Sequence, residues 1–183
     1  MDWKAFADAD ARLTEKLRLQ QGQSALWRIA AFLAHSGDSW FWAIGLFIIW
    51  LATRGEWHNR AVLLAGGVVG LALFVFALKF IIKRQRPEGE WGAIYRNTDP
   101  NSFPSGHAAR VALLAVMALG LGPTWFAIAV VIWAPLVCLA RIWTGLHYFS
   151  DILGGIVIGA LAGGLMLALQ PFFMNVFPFL FTL

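Results

Sequence analysis

Three short groups of polar residues interrupt a chain that is otherwise apolar. Lys79 and Arg86 lie seven residues apart, two helical turns, so a helix carrying them presents both cations on one face. Phe103-Pro104-Ser105-Gly106-His107 sets a hydroxyl, a glycine and an imidazole where a polar loop gives way to an apolar run. Arg141, His147 and Asp151 form the third group, with His147 and Asp151 one turn apart. Three cations with the Ser105 hydroxyl and the Gly106 N–H suit a phosphoryl group and would neutralise its transition-state charge. Gly106 opens a helix, where free N–H groups and the dipole favour an anion. A histidine held by a carboxylate is an activated nucleophile with a fixed tautomer, and a second histidine can protonate a leaving oxygen. The sequence has no carboxylate cluster suited to magnesium and no set of three His or Cys ligands, so neither a metal nor a cofactor is expected.

Each group also has a structural explanation. Lys79, Lys83 and Arg84 can snorkel to headgroups or mark the side of a membrane. That suits Lys83 and Arg84, while Lys79, a turn deeper, reads as functional. Pro104-Ser105-Gly106-His107 alone would be a helix cap with Ser105 as acceptor. His147 and Asp151 alone would be a hydrogen bond at a helix start. All three groups in one chain are hard to explain that way. Arg110 follows His107 by three residues on nearly the same helical face. It is either a charge paired within the protein or a contact to a second phosphate or polar headgroup.

The elements that must hold these groups are membrane spans. Of the 183 residues 60% are hydrophobic and 13% charged, about half the charged share of a soluble domain. Uncharged runs cover 61–78, 111–140 and 152–183, the last two being 30 and 32 residues long; a span needs roughly 20. A soluble protein with buried core helices would have too few polar residues to coat its outside. Residues 3–20 place Trp3, Phe6, Leu13 and Leu17 on one face and Lys4, Arg12, Glu15 and Lys16 on the other, an amphipathic helix for the membrane interface. A short leading helix broken at His35-Ser36-Gly37-Asp38 precedes a span over about 39–53. Further spans are expected over 61–84, 105–121, 124–140 and 151–170, with a Phe-rich tail at 172–183 and a polar loop at 87–104. Gly66 and Gly70, and Gly155, Gly159 and Gly163, form small-residue faces for close helix packing. The expected fold is all-α, a polytopic membrane helical bundle of about five to six transmembrane helices with an N-terminal interfacial helix, in a single domain over 1–183.

This topology brings the three groups to one membrane face, because 108–140 must cross and return. The acidic N-terminal segment has no apolar core before a cleavage site, so it does not read as a signal peptide. The lone Cys138 permits no intramolecular disulfide. A net charge of +4 suits anionic headgroups. No aromatic-basic module points to nucleic acid.

Lys79-x6-Arg86-Pro87, then Pro104-Ser105-Gly106-His107, then Arg141-x5-His147-x3-Asp151 resembles the signature of the type 2 phosphatidic acid phosphatase family, related in its core to vanadium haloperoxidases. The resemblance implies that His147 is a nucleophile that becomes phosphohistidine, oriented by Asp151. It implies that His107 protonates the departing lipid oxygen and then activates water, and that Lys79, Arg86, Ser105, Gly106 and Arg141 bind phosphate. Ala140 replaces the serine that usually precedes the motif's arginine, which removes one hydroxyl contact and no ionic group. The chain is similar to bacterial lipid phosphatases acting on undecaprenyl diphosphate, phosphatidylglycerophosphate, phosphatidic acid or lipid A. The expected partners are therefore a lipid phosphate and the membrane. A non-catalytic lipid-binding or transport protein on this scaffold would not need both histidines and Asp151, and a haloperoxidase would lack the apolar spans. Only Arg54 and Arg60 of the 14 Lys and Arg residues fall on the face opposite the site. That argues for a cytoplasmic site, whereas the resemblance implies an extracytoplasmic one in a cell membrane, which is the reading adopted.

Overall fold

The structure, a computed structural model, describes residues 3–20, 22, 24–88 and 99–181. Most of the polar loop expected at 87–104, namely 89–98, lies outside the described residues. Among those described, eight α-helices run in order: α1 (Trp3–Leu17), α2 (Ala25–Ser36), α3 (Ser39–Ala52), α4 (Glu56–Ile82), α5 (Gly106–Leu121), α6 (Thr124–Trp143), α7 (Phe149–Ala168) and α8 (Gln170–Val176). Helices α4, α6 and α7 are long and apolar enough to cross a membrane, and α2 with α3, bent by 54°, add a fourth if the pair is counted as one broken span. Helix α5, at 16 residues, is shorter. Large apolar side chains such as Leu73, Phe76, Ile81, Ile132, Leu161 and Leu165 point outward. A protein in water would not leave so much apolar surface bare, so the bundle is that of a multi-pass membrane protein.

Helix α5 is the centre of the bundle, with Val111, Leu113, Leu114 and Met117 fully enclosed. It packs most extensively on α7, and small residues make that possible. A Cβ on Gly159 would lie 1.9 Å from Ala109 O, and one on Gly155 2.6 Å from Ser105 O. Lipid is as apolar as the side chains, so such close backbone approach, rather than expulsion of water, holds the pair. The expectation for Gly66 and Gly70 is corrected: a Cβ at Gly70 would meet nothing and one at Gly66 only Met166 at 3.9 Å. Gly67 carries the close approach instead, since a Cβ there would lie 3.0 Å from Met117 Sδ.

Helix α1 docks in a manner the sequence pattern did not foretell. Its apolar residues Trp3, Phe6, Leu13 and Leu17 are exposed, as an interfacial helix requires, but its buried residues are Asp10 and Thr14. Thr14 Oγ1 accepts the Phe149 N–H and Asp10 Oδ1 the Ser150 N–H, both at 3.0 Å, so α1 satisfies free donors at the start of α7. The Phe-rich tail extends past α7 as α8 and then turns back through Pro178–Leu180, where Leu180 O lies 2.9 Å from His58 Nε2.

Candidate active site

Lys79 is on the last turn of α4, which Lys83 ends in a left-handed conformation at φ 52°. The chain then runs extended, with Gln85 bridged to Asn101 and the Ser102 N–H donating to Arg84 O at 2.7 Å. This short pairing returns the loop to the site and presents Asp99. Lys79 Nζ donates to Asp99 Oδ2 and to Asn101 O, both at 2.7 Å, and Arg86 Nη2 donates to the same Oδ2 at 2.8 Å. An anionic group thus already sits between the two cations. Arg86 Nη1 also donates to Leu146 O at 2.9 Å.

Ser105 is the N-cap of α5 and accepts the Ala108 N–H. A Cβ on Gly106 would come no nearer than 3.8 Å to Val75, so protein packing leaves room beside that backbone. Arg141, at the end of α6, is 1% exposed and donates to Ala34 O.

His147 lies in the turn before α7, 1% exposed. Arg86 Nη1 is 3.1 Å from its Nε2. A guanidinium only donates, so Nε2 carries the lone pair and Nδ1 the proton. Nδ1 faces Asp151 Oδ2 at 3.5 Å, a long contact. Asp151 Oδ2 also accepts the Tyr148 N–H at 2.9 Å, so this carboxylate both starts the helix and faces His147. Burial, and then the charges of Arg86, Arg141 and Lys79, hold the His147 pKa well below the usual imidazole value, which keeps the ring neutral near pH 7.

A cleft of about 320 Å³ joins Lys79, Arg86, Gly106, His107, Arg110, Arg141 and His147, with Val68, Leu71, Val75 and Phe76 of α4 as its apolar wall. The expected site residues are thereby brought together, Ser105 and Asp151 standing immediately behind. Arg110 donates to Gly37 O and Ser39 Oγ while also lining the cleft, so its guanidinium is held by oxygens of the bundle at the edge of the site.

Arg84 departs from the snorkelling expected of it. Its Nη1 donates to Asp151 Oδ1 at 2.8 Å and to Ser150 Oγ at 2.6 Å, its Nη2 to Asp10 Oδ2 at 2.7 Å, and its guanidinium lies 4.2 Å from the centre of the Tyr148 ring. Asp10 and Asp151 are almost wholly buried, and removing the cation that joins them would cost about 3–5 kcal/mol. Sequence reasoning also missed Asp38 and Asp99. The signal available for Asp38 was a carboxylate inside an apolar stretch, a costly placement that raises a functional hypothesis.

The sequence matches the PAP2 superfamily over residues 60–175. Among its relatives, decaprenylphosphoryl-5-phosphoribose phosphatase of Mycobacterium tuberculosis is 35% identical over 117 residues, 62% of this chain and 60% of that protein. Lipid A 1-phosphatase of Porphyromonas gingivalis is 33% identical over 118 residues, 61% of this chain and 25% of that one. Undecaprenyl-diphosphatase of Sulfolobus acidocaldarius is 28% identical over 144 residues, 72% and 65% of the two. The chain thus spans about 60% of the mycobacterial relative's length and less of the lipid A phosphatase's. In fold it is similar to the transmembrane PAP2 type phosphatidylglycerolphosphate phosphatase of Bacillus subtilis, with a TM-score of 0.74, 24% identity and coverage of 93% of this chain and 88% of that one. It is also similar to Aquifex aeolicus LpxE, with a TM-score of 0.67, 21% identity and coverage of 86% and 93%.

Proposed function

The chain belongs to the PAP2 superfamily, and from that premise we propose that it is a membrane phosphatase acting on a lipid phosphate or diphosphate through a phosphohistidine, without a metal. The observation that carries this reading is His147: buried, lining the cleft together with Lys79, Arg86 and Arg141, its Nε2 facing Arg86 Nη1 at 3.1 Å. The Asp99 carboxylate between Lys79 and Arg86 supports the same assignment, since it occupies the place a phosphate oxygen would take.

In this mechanism the substrate phosphate displaces Asp99 and is held by Lys79, Arg86, Arg141, Ser105 and the Gly106 N–H. His147 Nε2 attacks phosphorus while Asp151 stabilises the Nδ1–H side of the ring. His107 gives a proton to the departing lipid oxygen, then takes one from the water that hydrolyses the phosphohistidine. The apolar α4 wall beside the cations suits a substrate whose phosphate is joined to a lipid tail. The named relatives act on polyprenyl-linked and lipid A phosphates, which share that chemistry.

The site is assigned to the extracytoplasmic face. Lys79, Arg84, Arg86, Arg110 and Arg141 are engaged inside the bundle, and this weakens the weight of positive charge that argued for the cytoplasm. The function is tested with purified protein and a panel of lipid mono- and diphosphates, assayed with and without EDTA. Phosphate release should persist in EDTA, vanish in His147→Ala and be weakened in Asp151→Asn. Labelled substrate should leave an acid-labile, base-stable phosphoprotein. Substantial turnover by His147→Ala would refute the mechanism, and lipid binding without any release would indicate a non-catalytic protein.

A further inference from the structure

The break between α2 and α3 has no part in the chemistry above, yet it is built against His107. Asp38 holds the N-cap position of α3 but makes no side-chain cap bond. An aspartate there ordinarily accepts a free N–H of the first turn. This carboxylate turns into the bundle instead: Oδ1 accepts the His107 Nε2–H at 2.6 Å, and Oδ2 lies 3.1 Å from His35 Nδ1. Both oxygens are thereby occupied by imidazoles. Arg110 donates to Gly37 O and Ser39 Oγ on either side, fixing the break against α5. Gly37 packs so tightly that a Cβ would lie 3.2 Å from His107 Cδ2 and 3.0 Å from Val137 Cγ1. The Cδ2–Nε2 edge of the His107 ring therefore faces the break, and its Nδ1–Cε1 edge faces away.

We infer that Asp38 is a positioning residue for His107, holding the ring by Nε2–H, leaving Nδ1 for the leaving oxygen and stabilising the imidazolium that donates the proton. This role rests on the phosphatase reading. Proton and electron counts close without a further reactant. In the first half the P–N bond to His147 forms as the P–O bond to the lipid breaks, and the departing oxygen takes the Nδ1 proton of His107. In the second half water attacks phosphorus and gives a proton to His107 Nδ1, and the P–N electron pair returns to His147. Asp38 keeps the Nε2–H throughout. His147 and His107 would then each have a carboxylate partner, Asp151 for one and Asp38 for the other. His35, whose side chain is 46% exposed, holds the second Asp38 oxygen from the outer side.

A carboxylate that merely stabilises the bend would affect all substrates alike, and leaving-group dependence separates the two roles. Asp38→Asn and Asp38→Glu are compared with wild type on an alkyl phosphate, whose alkoxide needs a proton, and on a 4-nitrophenyl phosphate ester, whose phenolate does not. Single-turnover release of alcohol or nitrophenol reads the first step alone. Asp38→Asn should slow the alkyl substrate by about tenfold or more and the nitrophenyl ester by less than about threefold, within the range that proton transfer commands. Asp38→Glu, which keeps the charge, should recover part of the alkyl rate. The ratio of the two rates within one preparation is independent of how much protein has folded. Equal losses on both substrates, or no loss, in an active wild type overturn the role of Asp38 and leave the phosphatase reading intact. A wild type that releases no phosphate from any lipid overturns both.

Discussion

At the scale of single residues, the resting site is occupied by a charge of its own. Asp99 bridges Lys79 and Arg86, so under the proposed mechanism an incoming phosphate displaces it. Asp99→Asn removes the competing charge, and inhibition by phosphate or vanadate should tighten by about three- to tenfold, as for loss of an interaction of about 0.7–1.4 kcal/mol. Weaker inhibition would instead make Asp99 part of the binding frame. The neutral His147 has a consequence for stability. Its folded pKa is depressed while its unfolded value is about 6.5, so below that pH the unfolded chain binds the extra proton. The His147 contribution is thus fully present above about pH 6.5 and is lost as pH falls from there toward the folded pKa. Thermal unfolding in detergent should show a midpoint that declines below about pH 6.5, with a shallower decline in His147→Gln. An unchanged slope would contradict the buried neutral imidazole.

At the scale of elements, the α5–α7 contact fixes the distance between Ser105 on one helix and Asp151 on the other. The Ser105 N–H donates to Asp151 O at 3.1 Å, directly linking the capped start of α5 to the first turn of α7. Gly159, one turn beyond Gly155, is where the backbones approach most closely. Gly159→Ala would drive a methyl group into Ala109 O and part the helices, so a loss of about 1–3 kcal/mol or more and a large drop in activity are expected. Gly70→Ala sits in the interior of α4 with nothing within 4 Å of the added methyl. It should be neutral or raise stability by up to about 1 kcal/mol. Melting temperatures and phosphate release of the two variants, measured side by side, check the contrast; matching behaviour would show that the α5–α7 approach is not limiting.

At the scale of the whole molecule, the bundle has a polar end holding the site and an opposite end with Arg54, Glu56 and Arg60. Arg60 there pairs with Glu56 at 2.6 Å and donates to Leu121 O at 2.6 Å, so one of the two cations that could orient the chain also seals a helix terminus. Sidedness can be read with Glu88→Cys at the site end and Glu56→Cys at the other, both exposed, in a Cys138→Ala background. A membrane-impermeant thiol reagent on intact cells should label position 88 and spare 56. The reverse pattern would place the active site in the cytoplasm.

The sequence alone specified the all-helical membrane fold and singled out the candidate set of polar residues that its helices carry, because both signals are local. Residue type and spacing decide which groups share a helical face, and long uncharged runs decide which segments cross a membrane. Ser105 before an apolar run and Asp151 four residues after His147 are legible for the same reason. The partners of the charges were not. Arg84 reads as a headgroup contact, yet it joins Asp10 and Asp151, 74 and 67 residues away. Asp38 reads as the interruption of a helix, yet it meets His107 across 69 residues. A charge near the end of a span can be satisfied by water, a headgroup or an opposite charge, and these alternatives look identical along the chain. Which one holds depends on how closely the helices approach, and that distance is set by contacts such as Gly159 against Ala109 that exist only once the bundle is packed.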